Sequence, residues 1–400
     1  MTNQSNIKKR KPVDDNSGSW FKGVWGSARE TLLDRSQNVD TVLMWLIIAL
    51  VVCGIIMMYS ASFAYAYYNR DGDSHYFFRN QLIYAALGMV LMFMVSLYPA
   101  ARLRNFNLII LTISTVLLVI VLFLPEINYV NRWINLGFTT FQPSEITKFA
   151  IILFGATWAD SHADKMHTFK WGVLPFIVVL GISGLLLVLE PHLSCTIIVM
   201  LLGMTMMFVG GTRLVWFAGL AGVVVAGVIG IILSGQIGYS STRIQVWLDP
   251  FADPLGDGWQ NIQALYAISS GGLFGQGLGN SRQKYLYISE PQNDFVFAVV
   301  CEELGFIGAA LVIALFVVFV WRGFTVSINN PNRFCKLLGI GITAQIGWQA
   351  LLNMAVVTKM VPNTGISLPF FSYGGTSLVM LLLEMGVLLA ISRGSTAKKI

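Results

Sequence analysis

The sequence has little charge with which to build a soluble surface. Of its 400 residues only 12% are Asp, Glu, Lys or Arg, whereas 55% are hydrophobic. A typical soluble domain carries about 25% charged residues. Half that density is too low to cover a globular surface, so the composition excludes an ordinary soluble enzyme and favours a membrane protein.

Cysteine, signal-peptide features and internal repeats are also scarce or lacking. The four cysteines lie in or beside apolar segments, and their spacing fits neither a disulfide framework nor a zinc site. The first 40 residues contain no apolar core, so we expect no cleavable signal peptide. We find no internal repeat, and the inverted-repeat architecture of many transporters is therefore not favoured.

Long apolar segments make up most of the remaining chain. Residues 42–64, 171–189 and 308–321 contain no charged residue. About 20 apolar residues in a helix cross the hydrocarbon core of a bilayer, and continuous rather than alternating apolarity excludes a barrel. We predict an all-α polytopic membrane protein with about ten transmembrane helices. The predicted helices are 42–64, 78–98, 107–124, 143–160, 171–189, 193–210, 214–234, 293–321, 336–357 and 372–391.

The basic residues predict the orientation. With both termini in the cytoplasm, 18 of the 26 Lys and Arg residues fall on the cytoplasmic side, as the positive-inside rule requires. This distribution also argues against nucleic acid as a partner, despite the net charge of +6. We predict a basic, disordered tail at 1–40, a membrane domain at 41–392 and a short cytoplasmic tail at 393–400. The one long extracytoplasmic loop, 235–292, carries aromatic residues and is expected to lie in the membrane interface or fold back onto the helices.

Ionisable residues at membrane depth are the candidate functional residues, because each costs about 2.5–3.5 kcal/mol at a helix centre on insertion scales. Arg132 precedes a helix that begins at Pro143, and Glu145 and Lys148 are spaced i, i+3 on one face of it. One interpretation is an ion pair that only stabilises the helix. The other is a cationic site made by Arg132 and Lys148, in which Glu145 orients the lysine.

Two acids and a histidine lie at other outer helix ends. Glu190 and His192 flank a proline, and they are either part of a satisfied turn or take part in proton or metal chemistry. Asp294 lies where the long loop enters a helix, and is either a helix cap or a reactive carboxylate. In a regular helix Glu302 lies about 80° from Asp294 and Glu303 about 180°, so we predict that only Glu302 shares a cavity with Asp294.

Residues 362–377 are rich in Gly, Ser and Pro at the outer end of the last helices. Their amide groups could cradle an anion, or the segment could be a tight re-entrant turn. With the charged residues above, this segment outlines a polar cavity that opens outward.

Five ordered segments resemble the SEDS family (shape, elongation, division and sporulation), whose members include FtsW, RodA and SpoVE. They are residues 131–148, 247–258, 275–281, 294–305 and 368–375. The resemblance covers about residues 40 to 392, and residues 275–284 are closer to FtsW and SpoVE than to RodA.

The resemblance implies a peptidoglycan glycosyltransferase that polymerises lipid II outside the bacterial cytoplasmic membrane, at the division septum, and releases undecaprenyl diphosphate. Asp294 corresponds to the family's key aspartate, here the expected general base, and Arg132 and Lys148 match its cationic pair. The expected substrate-binding residues are Arg132, Ser144, Glu145, Lys148, Glu190, Arg243, Glu302, Ser372 and Gly374. A divalent cation, Mg²⁺ or Mn²⁺, is the candidate cofactor. The expected partners are a class B penicillin-binding protein, other division proteins and membrane lipids, but not nucleic acid.

Some residues depart from the family pattern. Residues 190–194 read Glu-Pro-His-Leu-Ser where the family usually has Gln-Pro-Asp-Leu-Gly, so the role of that aspartate is open, and Glu190 could substitute for it. Asn293 and Val296 replace the usual Thr and Ile on either side of the Asp-Phe pair. Two other functions compete with polymerisation: a lipid II flippase and a non-catalytic scaffold for a penicillin-binding protein. A flippase needs a path open to both leaflets, whereas the charges here gather on the outer side.

Overall fold

The computed structural model describes residues 39–125, 131–137, 139–219, 246–256 and 258–397. Nearly all of its regular structure is helical, as predicted. The α-helices are α1 (Thr41–Asn69), α2 (Tyr76–Ser96), α3 (Asn107–Leu122), α4 (Pro143–Ser161), α5 (Phe169–Gly172), α6 (Leu174–Leu189), α7 (Leu193–Gly210), α8 (Trp259–Gly271), α9 (Val296–Ile328), α10 (Arg333–Val357) and α11 (Gly375–Arg393). Short 3₁₀ helices cover Ala100–Phe106, Ala163–Lys165 and Pro250–Ala252, and two strands, β1 (Ile134–Asn135) and β2 (Thr140–Phe141), form an antiparallel hairpin.

Eight helical segments in the described part of the chain are long and apolar enough to cross a membrane. Helix α4 is a further long helix that carries Glu145, Lys148 and Asp160. These helices coincide with the predicted ones to within a few residues at most ends. The predicted helix 214–234 and the predicted tail 1–40 lie largely outside the described residues, and the last three residues of the predicted tail 393–400 lie outside them as well.

Helices α10 and α11 lie at the centre of the bundle. Within their most apolar stretches 67% and 61% of the residues are buried, against 22% for α2 and for the segment that contains α3. The peripheral helices instead expose large apolar side chains such as Met94, Leu108 and Leu311. Because lipid is as apolar as these side chains, such an outer surface is stable only within a bilayer.

Glycines allow α2 and α11 to approach each other closely. A Cβ atom on Gly386 would lie 2.6 Å from the backbone oxygen of Met92, and one on Gly88 would lie 2.5 Å from a methyl carbon of Leu382. Small residues at helix contacts are typical of membrane bundles, where close van der Waals packing replaces the hydrophobic effect as the force between helices.

The long loop folds back onto the bundle, one of the two positions expected from its composition. Helix α8 in this loop was not predicted, and it packs against α9 through buried residues that include Ile262, Ala264 and Ala267. The hairpin of β1 and β2 was also not predicted. Its strands are only two residues long, too short for an alternating pattern to reveal them.

Helix α9 is broken at Gly305, whose φ of 66° and ψ of −168° are not helical. The break frees backbone groups on both sides, and residues 271–277 occupy it. The amides of Gln276 and Gly277 donate to the carbonyls of residues 302 and 303 at 2.9 and 3.0 Å, and the amides of residues 306 and 307 donate to those of Gly272 and Leu273 at 2.9 and 3.2 Å. The loop thus completes the hydrogen bonding of the broken helix, as a non-helical backbone at membrane depth requires.

We predict that Gly305→Ala destabilises the protein by at least about 1–3 kcal/mol, because this backbone region is almost exclusive to glycine. A Cβ atom there would also lie 2.3 Å from the backbone nitrogen of Gly275. The measurement is the thermal unfolding temperature in detergent. Gly181→Ala is the matched control, since nothing lies within 4 Å of its added Cβ in α6. Equal unfolding temperatures for the two variants would contradict the prediction.

Candidate active site

Arg132 lies immediately before the hairpin and reaches the turn that joins α6 to α7. Its Nε atom donates to the backbone carbonyl of Glu190 at 3.2 Å, and Nη2 donates to that of Pro191. The guanidinium group is a planar fork of donors, so it can bind two neighbouring carbonyls at once. This contact fixes the turn to the connection between α3 and α4 and brings a positive charge to the end of the bundle that is expected to face outward.

Lys148 and Glu145 form the ion pair that their spacing predicted. The Nζ atom lies 2.8 Å from Oε2 of Glu145, and the two side chains are only 4% and 12% exposed. An ammonium group buried this deeply needs a compensating charge. Ser144, beside this pair, is fully buried and its hydroxyl has no partner among the described residues, whereas its carbonyl accepts a weak hydrogen bond from the Cys195 thiol at 3.8 Å.

His192 is held neutral between the two cations. Its Nε2 atom lies 3.3 Å from the amide nitrogen of Gln142, which can only donate, so the imidazole accepts. Burial, reinforced by the charges of Arg132 and Lys148, lowers the pKa of His192 to about 3. The histidine at the position of the family aspartate is therefore uncharged at neutral pH and does not offset either cation.

Glu190 is the second unusual group of this turn. The residue is fully buried, and neither carboxyl oxygen accepts a hydrogen bond from any described residue. Burial raises its pKa to about 8, although the charge of Arg132 acts in the opposite direction. At neutral pH the group is therefore largely a neutral carboxylic acid, with a proton that it could donate.

Asp294 lies just before α9 and is partly exposed. The N-cap of α9 is Phe295, so Asp294 lies one residue before the N-cap position. The backbone oxygen of Asp294 accepts from the Asn353 amide at 2.7 Å. A Cβ atom on Gly365 would lie 3.4 Å from Oδ2 of Asp294 and 3.6 Å from Oγ of Ser194, so the carboxylate and this hydroxyl flank one glycine.

The turn at residues 190–195 connects the cationic and acidic parts of the site. At one end its backbone binds Arg132, and in its middle His192 lies in the field of Lys148. At the other end the Ser194 hydroxyl donates to the backbone carbonyl of Thr364, next to the glycine that Asp294 approaches. The predicted cations and the predicted acid are thus brought to one end of the bundle by a single turn.

The segment that contains Ser372 and Gly374 is a tight turn whose amides are already paired. The Ser372 amide donates to Leu368, and the next amide donates to Gln292 at 2.7 Å. The Gly374 amide donates to Gln81, and the Ser372 hydroxyl accepts from the Leu368 amide at 2.8 Å. These amides therefore do not form the anion cradle that the sequence allowed, and substrate binding by Ser372 and Gly374 stays untested.

Another predicted residue, Glu302, lies apart from this arrangement. Both carboxylate oxygens of Glu302 bind the loop at 281–283, so in this conformation Glu302 holds a loop and does not line an open cavity beside Asp294. Arg243 lies outside the described residues.

Sequence reasoning missed three polar residues within the helices: Gln345, Asn353 and Glu384. Asn353 joins Asp294 to the carbonyl of Ile366, with 2.7 Å for each bond, and Gln345 donates to Glu384 at 2.7 Å in the interior of the bundle. The available signal was a lone polar residue in an otherwise apolar helix, which is costly unless it has a partner.

A metal cage made by the protein alone does not fit the described residues. No group of three or more His, Cys, Asp or Glu side chains is clustered within them. Neutral His192 and buried Glu190 share a turn, but no third His, Cys, Asp or Glu among the described residues completes a metal-binding group with them. The candidate Mg²⁺ or Mn²⁺ stays an untested expectation from the resemblance.

We predict that Glu190→Gln makes the protein progressively more stable than the native form as pH rises from 5 to 8. The folded protein holds the Glu190 proton up to pH about 8, whereas the unfolded chain loses it near the ordinary value of 4.5. Folding is therefore penalised increasingly as pH rises through this window, and glutamine removes the penalty. The measurement is the unfolding temperature at several pH values. Asp73→Asn, at a partly exposed acid, is the control, and parallel curves for native protein and Glu190→Gln would contradict the prediction.

The chain resembles known proteins over nearly its whole length. The family model described as "Cell cycle protein", which covers FtsW, RodA and SpoVE, matches residues 41–397. Stage V sporulation protein E of Bacillus subtilis (strain 168) is 39% identical over 367 residues, which are 90% of this chain and 99% of that protein. A probable peptidoglycan glycosyltransferase FtsW of Trichlorobacter lovleyi is 38% identical over 90% of this chain and 94% of its own length.

Solved structures share the fold. A chain from a peptidoglycan synthase complex, solved in a study of coordinated polymerization and crosslinking, superposes with a TM-score of 0.73 at 25% identity, covering 89% of this chain and 98% of its own. The rod shape determining protein RodA of Thermus thermophilus superposes with a TM-score of 0.65 at 25% identity over 90% of this chain and 98% of its own. These similarities agree with the motifs and with the helix order, and the chain therefore belongs to the family of cell cycle proteins that comprises FtsW, RodA and SpoVE.

Proposed function

We propose that this membrane protein polymerises lipid II into glycan strands on the outer face of the bacterial cytoplasmic membrane, with Asp294 as general base. Several relatives of 33–38% identity are named probable peptidoglycan glycosyltransferase FtsW, and this places the chain in that enzyme class. One observation carries the assignment of the base: Asp294 is a partly exposed carboxylate that lies beside the turn that binds Arg132.

The reaction requires a base, a positioned acceptor and a stabilised leaving group. Asp294 would take the proton from the 4-hydroxyl of the acceptor sugar as that oxygen attacks the anomeric carbon of the donor. The bond between this carbon and the diphosphate oxygen then breaks, and undecaprenyl diphosphate leaves with the bonding electron pair. Positive groups held in place before the reaction stabilise such developing charge. Arg132 and Lys148 are the cations available near the turn at residues 190–195.

Neutral His192 and Glu190 suit this arrangement. A histidine that stayed cationic would repel the two basic residues, and an ionised Glu190 would partly cancel the charge of Arg132. With both groups uncharged at neutral pH, neither group neutralises or repels Arg132.

A class B penicillin-binding protein and the division septum complete the proposal. The structural neighbour with a TM-score of 0.73 comes from a peptidoglycan synthase complex, which supports a partner that crosslinks the strands. The relatives named FtsW support a role at the division septum. The similarity to stage V sporulation protein E is equally strong, so it supports a role in sporulation to the same degree.

We predict that Asp294→Asn lowers glycan polymerisation from purified lipid II by about 10²–10⁴-fold, the usual contribution of a general base. Asparagine keeps the size and hydrogen bonding of the side chain but cannot accept the proton. The assay uses the full-length protein with its cognate penicillin-binding protein and measures glycan length and rate.

Asp73→Asn is the matched control, an aspartate in the connection between α1 and α2 that is paired with Arg79 on the surface. Equal rates for native protein and Asp294→Asn would remove the general base from the mechanism. If native protein forms no glycan but moves lipid II across vesicle membranes, the flippase function replaces the proposal. If it does neither and only binds the penicillin-binding protein, the scaffold function replaces it.

A further inference from the structure

Lys284 is buried against the break in α9. The residue is only 1% exposed, and its ammonium group donates to Oε1 of Glu303 at 2.8 Å, to the Ser60 hydroxyl at 3.2 Å and to the carbonyl of Gly279 at 2.6 Å. Glu303 has no exposed surface, and it also accepts from the Ser60 hydroxyl at 2.7 Å. An ammonium group has three protons, so Lys284 is fully satisfied by contacts within the protein.

Glu302 binds the same loop from its other side. Its carboxylate accepts from the Ser281 hydroxyl, from the Arg282 amide at 2.9 Å and from the Gln283 amide at 3.4 Å. We name the group formed by Ser60, Ser281, Lys284, Glu302 and Glu303 the clasp. It joins three parts of the chain: α1, the long loop and the part of α9 before its break.

The clasp lies at one end of a short helical segment, and Asp294 lies at the other. Residues 296–303 form roughly two helical turns, about 12 Å at 1.5 Å per residue. Asn353 fixes the end near Asp294 by a hydrogen bond to its backbone oxygen. Because a helix of this length is stiff, the clasp at one end and Asn353 at the other together set the position of Asp294.

The clasp is not explained by stability alone. Replacing a buried ion pair by uncharged groups of similar size is often neutral or stabilising, because removing two charges from water costs so much. Leaving one partner without the other is strongly destabilising for the same reason. The Lys284–Glu303 pair instead holds three segments, α1, the long loop and α9, in one fixed arrangement.

We propose that the Lys284–Glu303 pair is a positioning pair: it sets where the Asp294 carboxylate stands relative to the substrate, without touching the substrate itself. This inference rests on the proposed function, in which Asp294 is the base. Displacing a reacting group by about 1 Å can cost about 10²-fold in rate. Loosening the clasp should therefore reduce the catalytic rate while the affinity for lipid II changes little.

The test compares Lys284→Met, Glu303→Gln and the double variant, each as full-length protein with its penicillin-binding protein and lipid II. We expect each single variant to lower kcat about 10–100-fold with KM nearly unchanged, the pattern of an interaction that matters only in the transition state. We expect the double variant to be no slower than the slower single variant, because both changes break one interaction. The double variant leaves no unpaired buried charge, and it should therefore fold where a single variant does not.

A second measurement does not depend on activity. Amide hydrogen exchange over residues 285–297 should be faster in each folded variant, because the loop and the short helical segment are no longer held. Arg79→Met is the control, since it breaks an ion pair whose arginine is 61% exposed and which lies outside the clasp. It should change neither kcat nor exchange in this region.

Several results would overturn the inference. A folded double variant with native kcat would do so, as would losses of kcat that multiply in the double variant. Unchanged hydrogen exchange in all folded clasp variants would show that the pair does not hold the segment. If native protein makes no glycan, the proposed function fails, and the exchange measurement alone then decides whether the clasp fixes the segment that carries Asp294.

Discussion

The break of α9 at Gly305 is the constraint on which the outer part of this protein depends. Inside a membrane every backbone N–H and C=O group needs a partner, and a broken helix leaves several without one. Residues 271–277 supply these partners on both sides of the break. Close approach of the two backbones is possible because Gly275 and Gly305 carry no Cβ atom. The long loop is therefore a structural part of the bundle, and the two acids just before the break on the same helix, Glu302 and Glu303, hold it.

Buried charged groups, like the free backbone groups at the break, are each given a partner. Lys148 is buried with Glu145, and Lys284 is buried with Glu303, so each ammonium group has its own carboxylate. Arg132 instead binds backbone carbonyls, which do not neutralise its charge. The neutral His192 beside it keeps the local potential positive without adding repulsion.

Sequence reasoning succeeded where the relevant contact is local. The spacing of Glu145 and Lys148 within one helical turn was enough to predict their ion pair. The same reasoning did not reveal the partners of Glu302, because the angle of 80° from Asp294 assumes that the helix faces an empty cavity. A loop at residues 281–283 fills that space, and nothing in the spacing of the acids reveals it. The amides near Ser372 were ambiguous for a similar reason, since their acceptors Gln81 and Gln292 come from distant segments.

The sequence by itself determined the membrane class and the positions of most helices, and it supplied the candidate site residues, whose roles stay predictions. It could do so because hydrophobic runs and intramembrane charges reflect transfer energies that each segment meets alone. Only the tertiary structure decided which polar groups face one another. The pairing of Lys284 with Glu303, the neutral state of His192 and the link from Asn353 to Asp294 all depend on distant segments meeting. Burial and the charge of non-sequential neighbours set these properties, and no local pattern encodes either of them.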